Sequence, residues 1–129
     1  MNLVNGYYTS VFGNGKHITF KIEIGRKYSL KGKRIIGYMV GTGNTGPYQP
    51  FGFVHGNLVN IFNTFKARQP AELVARVETG LKILKGDFFA AGKAYALRCR
   101  NCFICNRELT NPESVEAGIG PECLKKIGR

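Results

Sequence analysis

An α+β fold is what this sequence predicts: a small antiparallel β-sheet packed on one helix and followed by a knuckle built on cysteines. Three observations predict it. Residues 7–62 hold short aromatic and β-branched runs separated by glycine-rich turns. Residues 70–86 carry apolar side chains at helical spacing. All four cysteines lie after position 98.

The first strand is expected over Tyr7–Phe12. Gly13-Asn14-Gly15-Lys16 follows, and Asn-Gly between two such runs is the strongest short-range hairpin signal, since both residues tolerate positive φ. His17–Ile24 then alternates, with Ile18, Phe20, Ile22 and Ile24 on one face and His17, Thr19, Lys21 and Glu23 on the other. Gly25–Lys33 reads as a basic connector. Arg34–Val40 reads as a third strand, with Ile36, Tyr38 and Val40 on one side. Gly41–Pro50, with three glycines and two prolines, reads as an exposed loop. Phe51–Val54 and Leu58–Phe62 are two further short strands, or the second opens a helical turn.

The clearest helix opens at Gln69 or Pro70, since proline at the first helical position has a suitable φ and no N–H to leave unpaired. Leu73, Val77, Leu81 and Leu84 form its apolar stripe, and Gly86 is its stop. Gly80 inside it costs about 1 kcal/mol against alanine, and close packing on the sheet would account for it. Asp87–Leu97 is expected to supply a last strand leading into the cysteines. These readings divide the chain into a basic α+β domain, 1–97, and a small module, 98–129.

The chain is 43% hydrophobic, enough for a real core, and carries a net charge of +11. That charge is uneven. Residues 1–69 hold nine Lys or Arg against a single acid, Glu23, whereas residues 70–129 hold ten against seven. Such a field gathers polyanions. No apolar run approaches the roughly 18 residues of a membrane helix, no basic amphipathic helix suggests a membrane surface, and Met1–Ser10 is too polar for a signal peptide. A soluble, cytoplasmic protein is expected.

The cysteines run Cys99-x2-Cys102-x2-Cys105, with Cys123 following distantly inside Gly118-Ile119-Gly120-Pro121-Glu122-Cys123. In a reducing compartment a thiol cluster is more often a metal site than a disulfide set. Zinc takes four tetrahedral donors, and thiolates are its usual structural set. A Cys-x2-Cys turn places two sulfurs on one side of the ion, and a distant cysteine closes it. Pro121 would start a short helix whose partial positive charge favours the Cys123 thiolate. A knuckle followed by a ligand at a helix start is treble-clef-like, so the full expectation is a treble-clef-like zinc knuckle on Cys99, Cys102, Cys105 and Cys123. His17 or His55 are alternatives for one ligand. The spacing also admits an iron–sulfur cluster; redox catalysis lacks the βαβ setting it needs. Zinc would supply folding free energy to a segment too short to bury enough apolar surface.

The tail Cys102-x2-Cys105-x-Arg107-x-Leu109-Thr110-x-Pro112-x-Ser114-x3-Gly118-Ile119-Gly120-Pro121-x-Cys123 also resembles a functionally uncharacterised zinc-finger family common in bacteriophage and actinobacterial proteins, and found appended to DNA-processing proteins such as helicases. The resemblance covers about residues 98–127. It implies Cys102, Cys105 and Cys123 as ligands and leaves Cys99 as the candidate fourth. Residues 1–97 carry no such resemblance.

Gly41-x-Gly43-x2-Gly46 matches a dinucleotide fingerprint literally, but Pro47 follows where a helix should, and no βαβ unit surrounds it. No catalytic triad or paired-carboxylate pattern is present, and four thiolates would leave zinc no open position for hydrolysis. The expectation is therefore a binding protein, not an enzyme. It would hold nucleic acid, DNA ahead of RNA, with little sequence preference, as a phage or mobile-element protein in the host cytoplasm. Lys16, Lys21, Arg26, Lys27, Lys31, Lys33 and Arg34 would hold phosphates, with Arg98, Arg100, Lys125 and Lys126 extending the track. Tyr28 and Tyr48, in connectors, are the expected stacking platforms. The competing expectation is a phage-type modulator that binds a host protein through the same basic face.

Overall fold

The computed structural model describes residues 2–26, 28–40 and 47–127. Five strands form one antiparallel meander in chain order: β1 (Gly6–Val11), β2 (His17–Ile24), β3 (Arg34–Met39), β4 (Tyr48–His55) and β5 (Leu58–Ile61). The Asn14-Gly15 turn forms as its residues dictate. Gly15 takes φ +84°, and the Lys16 N–H donates to Asn14 Oδ1 at 3.0 Å. This fixes the β1–β2 register at Tyr8 opposite Phe20 and Ser10 opposite Ile18.

On one face of the sheet Tyr8, Ile18, Phe20, Ile22, Ile36 and Phe51 are buried. Two helices cover them, α1 (Asn63–Arg68) and α2 (Ala71–Gly86). The α2 stripe is the expected one: Val77, Leu81 and Leu84 are buried and Leu73 is half-buried. Gly80 is where α2 comes closest to the sheet. A Cβ there would lie 2.6 Å from Ile18 Cγ2 and 2.9 Å from Phe20 Cζ, and the Ser10 hydroxyl donates to the Gly80 carbonyl at 2.8 Å. The helix α1 was not foreseen; it buries Phe65 against Phe51, ring centroids 5.5 Å apart.

Three expectations are corrected. Residues 87–97 are not a strand but most of a helix, α3 (Phe88–Cys99). Asp87 caps it, accepting from the Ala90 N–H at 3.1 Å. Phe88, Ala91, Gly92, Tyr95 and Ala96, at helical spacing, form its buried face. The expected Gly41–Pro50 loop gives way to β4 from Tyr48; residues 41–46, with the Gly-x-Gly-x2-Gly run, lie outside the described residues. Ile24 and Val40 lie exposed at strand ends rather than in the core.

α3 reaches both faces of the edge strand β1. Its Phe88 meets Tyr8 edge-on at 6.2 Å, and its Tyr95 stacks on Tyr7 at 5.2 Å on the opposite face. On that second face the buried Thr9 and Thr19 hydroxyls bond each other at 2.9 Å. Two short helices complete the chain, α4 (Pro112–Ala117) and α5 (Pro121–Lys126). Phe103, Leu109, Ile119 and Cys123 from this region join the same buried cluster as Tyr8 and Phe88. No helix among the described residues is long and apolar enough to cross a membrane.

Candidate metal centre and the basic surface

The site is assembled by three local devices. First, Arg100 ends α3 in the left-handed region, φ 58°, and turns the chain into a short hairpin. The Leu109 N–H donates to the Arg100 carbonyl at 2.9 Å, and the Cys102 N–H to the Arg107 carbonyl at 2.8 Å. Asn106, at φ 63°, closes the turn carrying Cys102 and Cys105, its N–H donating to the Cys102 carbonyl at 2.8 Å. Second, Asn111 caps α4, accepting from the Glu113 N–H at 2.9 Å. Gly118 ends it at φ 77°, where a Cβ would meet Lys93 Cα at 3.1 Å. Third, Pro121 opens α5 and puts Cys123 in its first turn, as the sequence implied. Gly118-Ile119-Gly120-Pro121 thus reads as a helix stop, a buried anchor, a backbone donor and a helix start.

The outcome is that the Sγ atoms of Cys102, Cys105 and Cys123 all lie within 4.8 Å of one another. A tetrahedral ion with bonds of about 2.3 Å to sulfur needs sulfurs about 3.8 Å apart, so a small closing movement suits this group to a metal. The Gly120 N–H points at Cys102 Sγ at 3.5 Å. Burial works against the Cys102 thiolate, but backbone donors at Cys105, Gly120 and Ile104 outweigh it and hold the thiol below its ordinary range. Cys123 goes the other way: burial, and then hydrogen bonding to Cys105, push its thiol up to about 12. A metal binding these sulfurs would displace the thiol protons.

Cys99 is not in this group. It occupies the last position of α3, where its thiol donates to the Tyr95 carbonyl at 3.4 Å. Neither His17 nor His55 joins the cluster. All three clustered cysteines line a cleft of about 340 Å³, whose other walls include Arg107, Glu108, Ser114, Glu122 and Lys126.

The basic residues fall into three groups, at the β2–β3 connector, at the opposite end of β2 and around the cysteine module. Arg26, Tyr28, Lys31 and Lys33 lie in the β2–β3 connector and are exposed; Lys27 lies outside the described residues. Lys16 sits at the other end of β2, a strand of eight residues, or about 27 Å away. Arg98 is at that same end, where it and Arg76 act on His17. Burial first, then these two cations, holds the His17 imidazole below its ordinary value. Arg76, whose guanidinium donates to the His17 carbonyl at 3.4 Å, lies off the apolar stripe of α2, and no local pattern marks its approach to β2. Arg100, Lys125 and Lys126 are exposed around the cysteine module.

Two of the expected phosphate holders are engaged inside the fold. Arg34 donates to the Leu3 carbonyl at 2.6 Å and to Asn5 Oδ1 at 2.9 Å. Lys21 pairs with Glu23 at 3.0 Å and lies over the Tyr7 and Tyr48 rings. Tyr48 is not an exposed connector residue but a half-buried member of β4, 6.2 Å from Tyr7. Tyr28, by contrast, is 93% exposed. The short 3-10 turn Tyr28–Leu30, the Gly25–Lys31 bridge and Gly32 at φ 78° shape the described part of this connector.

No curated protein and no solved structure matches this chain. Residues 92–128 match DUF6011, a family of unknown function; the matched stretch begins within α3 and ends after the last cysteine.

Proposed function

We propose that this protein binds nucleic acid with little sequence preference, in a phage or mobile-element setting, and that a zinc ion held by Cys102, Cys105 and Cys123 is structural. The observation that carries the reading is the β2–β3 connector: a nearly fully exposed tyrosine on a shaped turn, flanked by exposed Arg26, Lys31 and Lys33. Glu23 is the one acid in the first 69 residues, and it is paired with Lys21. The connector's cations therefore have no acidic neighbour in the sheet region to neutralise them. A base stacks on an exposed ring while cations follow the phosphates, and each stacked base is worth about 1–3 kcal/mol. Zinc suits the donor set because thiolates favour it and structural sites use it for folding.

The test is a salt series on labelled single- and double-stranded DNA and RNA oligonucleotides. Binding should weaken linearly in log–log coordinates, with a slope set by the phosphates neutralised. Combined Arg26→Glu, Lys31→Glu and Lys33→Glu should abolish it, and Tyr28→Ala should weaken single-strand binding about 10-fold or more. Lack of retention on every oligonucleotide at low salt would discard the reading in favour of a protein partner. Metal analysis of the purified protein tests the zinc.

A further inference from the structure

We propose that the metal at Cys102, Cys105 and Cys123 keeps its fourth coordination position open to the cleft beside it, and that this position takes an exchangeable neutral donor, water or a nitrogen of the imidazole class, rather than an anion. The inference rests on the metal reading above and goes beyond it.

The donor count comes first. Among the described residues, no other Cys, His, Asp or Glu belongs to the three-sulfur group. The remaining thiol, Cys99, is turned into α3, donating to the Tyr95 carbonyl. Glu108 and Glu122 are walls of the cleft, but their carboxylates stand outside the group. A tetrahedral ion would therefore carry three protein bonds and one free direction.

Placement then says where that direction leads. The three cysteines line one cleft together, and Cys105 is exposed while Cys102 and Cys123 are buried. The protein encloses the sulfurs from behind, and the accessible side is the cleft. Its volume, about 340 Å³, admits a side chain or a small heterocycle.

Charge selects the donor. Three thiolates on a divalent ion leave the centre negative by one unit, and an anionic fourth ligand would double that. The charged side chains that line the cleft do not relieve it: Arg107 and Lys126 are offset by Glu108 and Glu122. A neutral donor adds no charge, and imidazole suits zinc and its cobalt analogue alike.

The experiment uses the full chain, stripped of metal and loaded with Co²⁺ without oxygen. Sulfur-to-cobalt charge-transfer intensity counts thiolates, and the visible d–d bands report the fourth ligand. The expected result is the intensity of three thiolates, unchanged in Cys99→Ser, Glu108→Gln and Glu122→Gln. Added imidazole should shift the d–d bands saturably, while acetate should not. Loss of one sulfur's intensity in Cys99→Ser, a changed spectrum in either Gln variant, or d–d bands indifferent to imidazole would each overturn the open position. Failure of the chain to take up Co²⁺ or Zn²⁺ at all would instead sink the metal reading on which it stands.

Discussion

Gly92 of α3 lies directly against Phe103 of the cysteine hairpin: a Cβ on Gly92 would run into the Phe103 ring at Cδ1. The Phe103 ring is fully buried and also meets Tyr8 at 5.7 Å and Phe89 at 5.4 Å, so it has little room to retreat. Gly92→Ala should therefore be destabilising. Overpacking costs about 1–3 kcal/mol, and the gain from alanine's helix propensity, about 1 kcal/mol, offsets only part of it. Gly86→Ala is the matched control. A Cβ there meets nothing within 4 Å, and the substitution should stabilise by about 0.4–1 kcal/mol. Urea midpoints on the two variants check the pair; equal shifts would contradict the packing argument.

Metal removal should be felt well beyond the module. The Tyr7 N–H on the outer edge of β1 donates to the Phe103 carbonyl at 2.6 Å, and Phe103 is core. The hairpin thus closes an otherwise open sheet edge. A strong chelator, or Cys102→Ser, should lower the urea midpoint of the whole chain and raise amide exchange at Tyr7 together with residues 99–127. Exchange confined to the module, with Tyr7 as protected as before, would show that the sheet stands without it.

Much of this was legible in the sequence because the signals were local. The Asn14-Gly15 turn, the alternation of Ile18, Phe20 and Ile22, the α2 stripe and the Pro121 helix start each follow from a few adjacent residues. α3 was misread because Phe88, Phe89 and Tyr95 suit a strand as well as a helix; what decides is the Asp87 cap and a buried face shared with Phe103, a partner beyond the segment itself. Cys99 was grouped with the other cysteines by spacing, yet α3 ends on it and turns its thiol inward. Arg34 and Lys21 counted as surface cations until the N-terminal segment and the tyrosines of β1 and β4 came to lie beside them. Charge is visible in a sequence, but which charges are already engaged depends on chain segments far apart.

Arg34 should behave as a structural residue, unlike its neighbours. Its guanidinium ties Leu3 and Asn5 to the sheet, and hydrogen bonds to a charged group are worth about 1.5–3 kcal/mol. Arg34→Ala should lower stability on that order. Lys31→Ala, whose side chain is exposed, should leave stability within about 0.5 kcal/mol and act on the salt slope of binding, whereas Lys33 also lies over the Phe53 ring at 5.1 Å. Thermal melts alongside a binding series separate the two behaviours; a stable Arg34→Ala variant would return this residue to the phosphate contacts.

The buried tyrosines set the alkaline limit of the fold, and Tyr48 can be separated from the others. Burial is the largest cause raising the hydroxyl pKa of Tyr8, Tyr48 and Tyr95, with neighbouring Tyr7 and Cys99 adding to it for Tyr48. A group whose folded pKa is raised favours folding in its protonated form. That contribution is complete below the unfolded value near pH 10 and is lost as pH climbs toward the folded value. Stability should thus fall steadily above about pH 10. The Tyr8 hydroxyl donates to the Val4 carbonyl at 2.7 Å, but the buried Tyr48 hydroxyl has no hydrogen-bond partner among the described residues. An unpaired buried hydroxyl costs about 1 kcal/mol or more, so Tyr48→Phe should be stabilising near pH 8 and Tyr8→Phe destabilising. Above pH 10 both variants should gain on the parent chain, because each has lost an ionisation that favours unfolding. Urea titrations of the three chains at pH 8 and pH 10.5–11 read this out. A Tyr48→Phe chain less stable than the parent at pH 8 would mean that its hydroxyl is bonded after all.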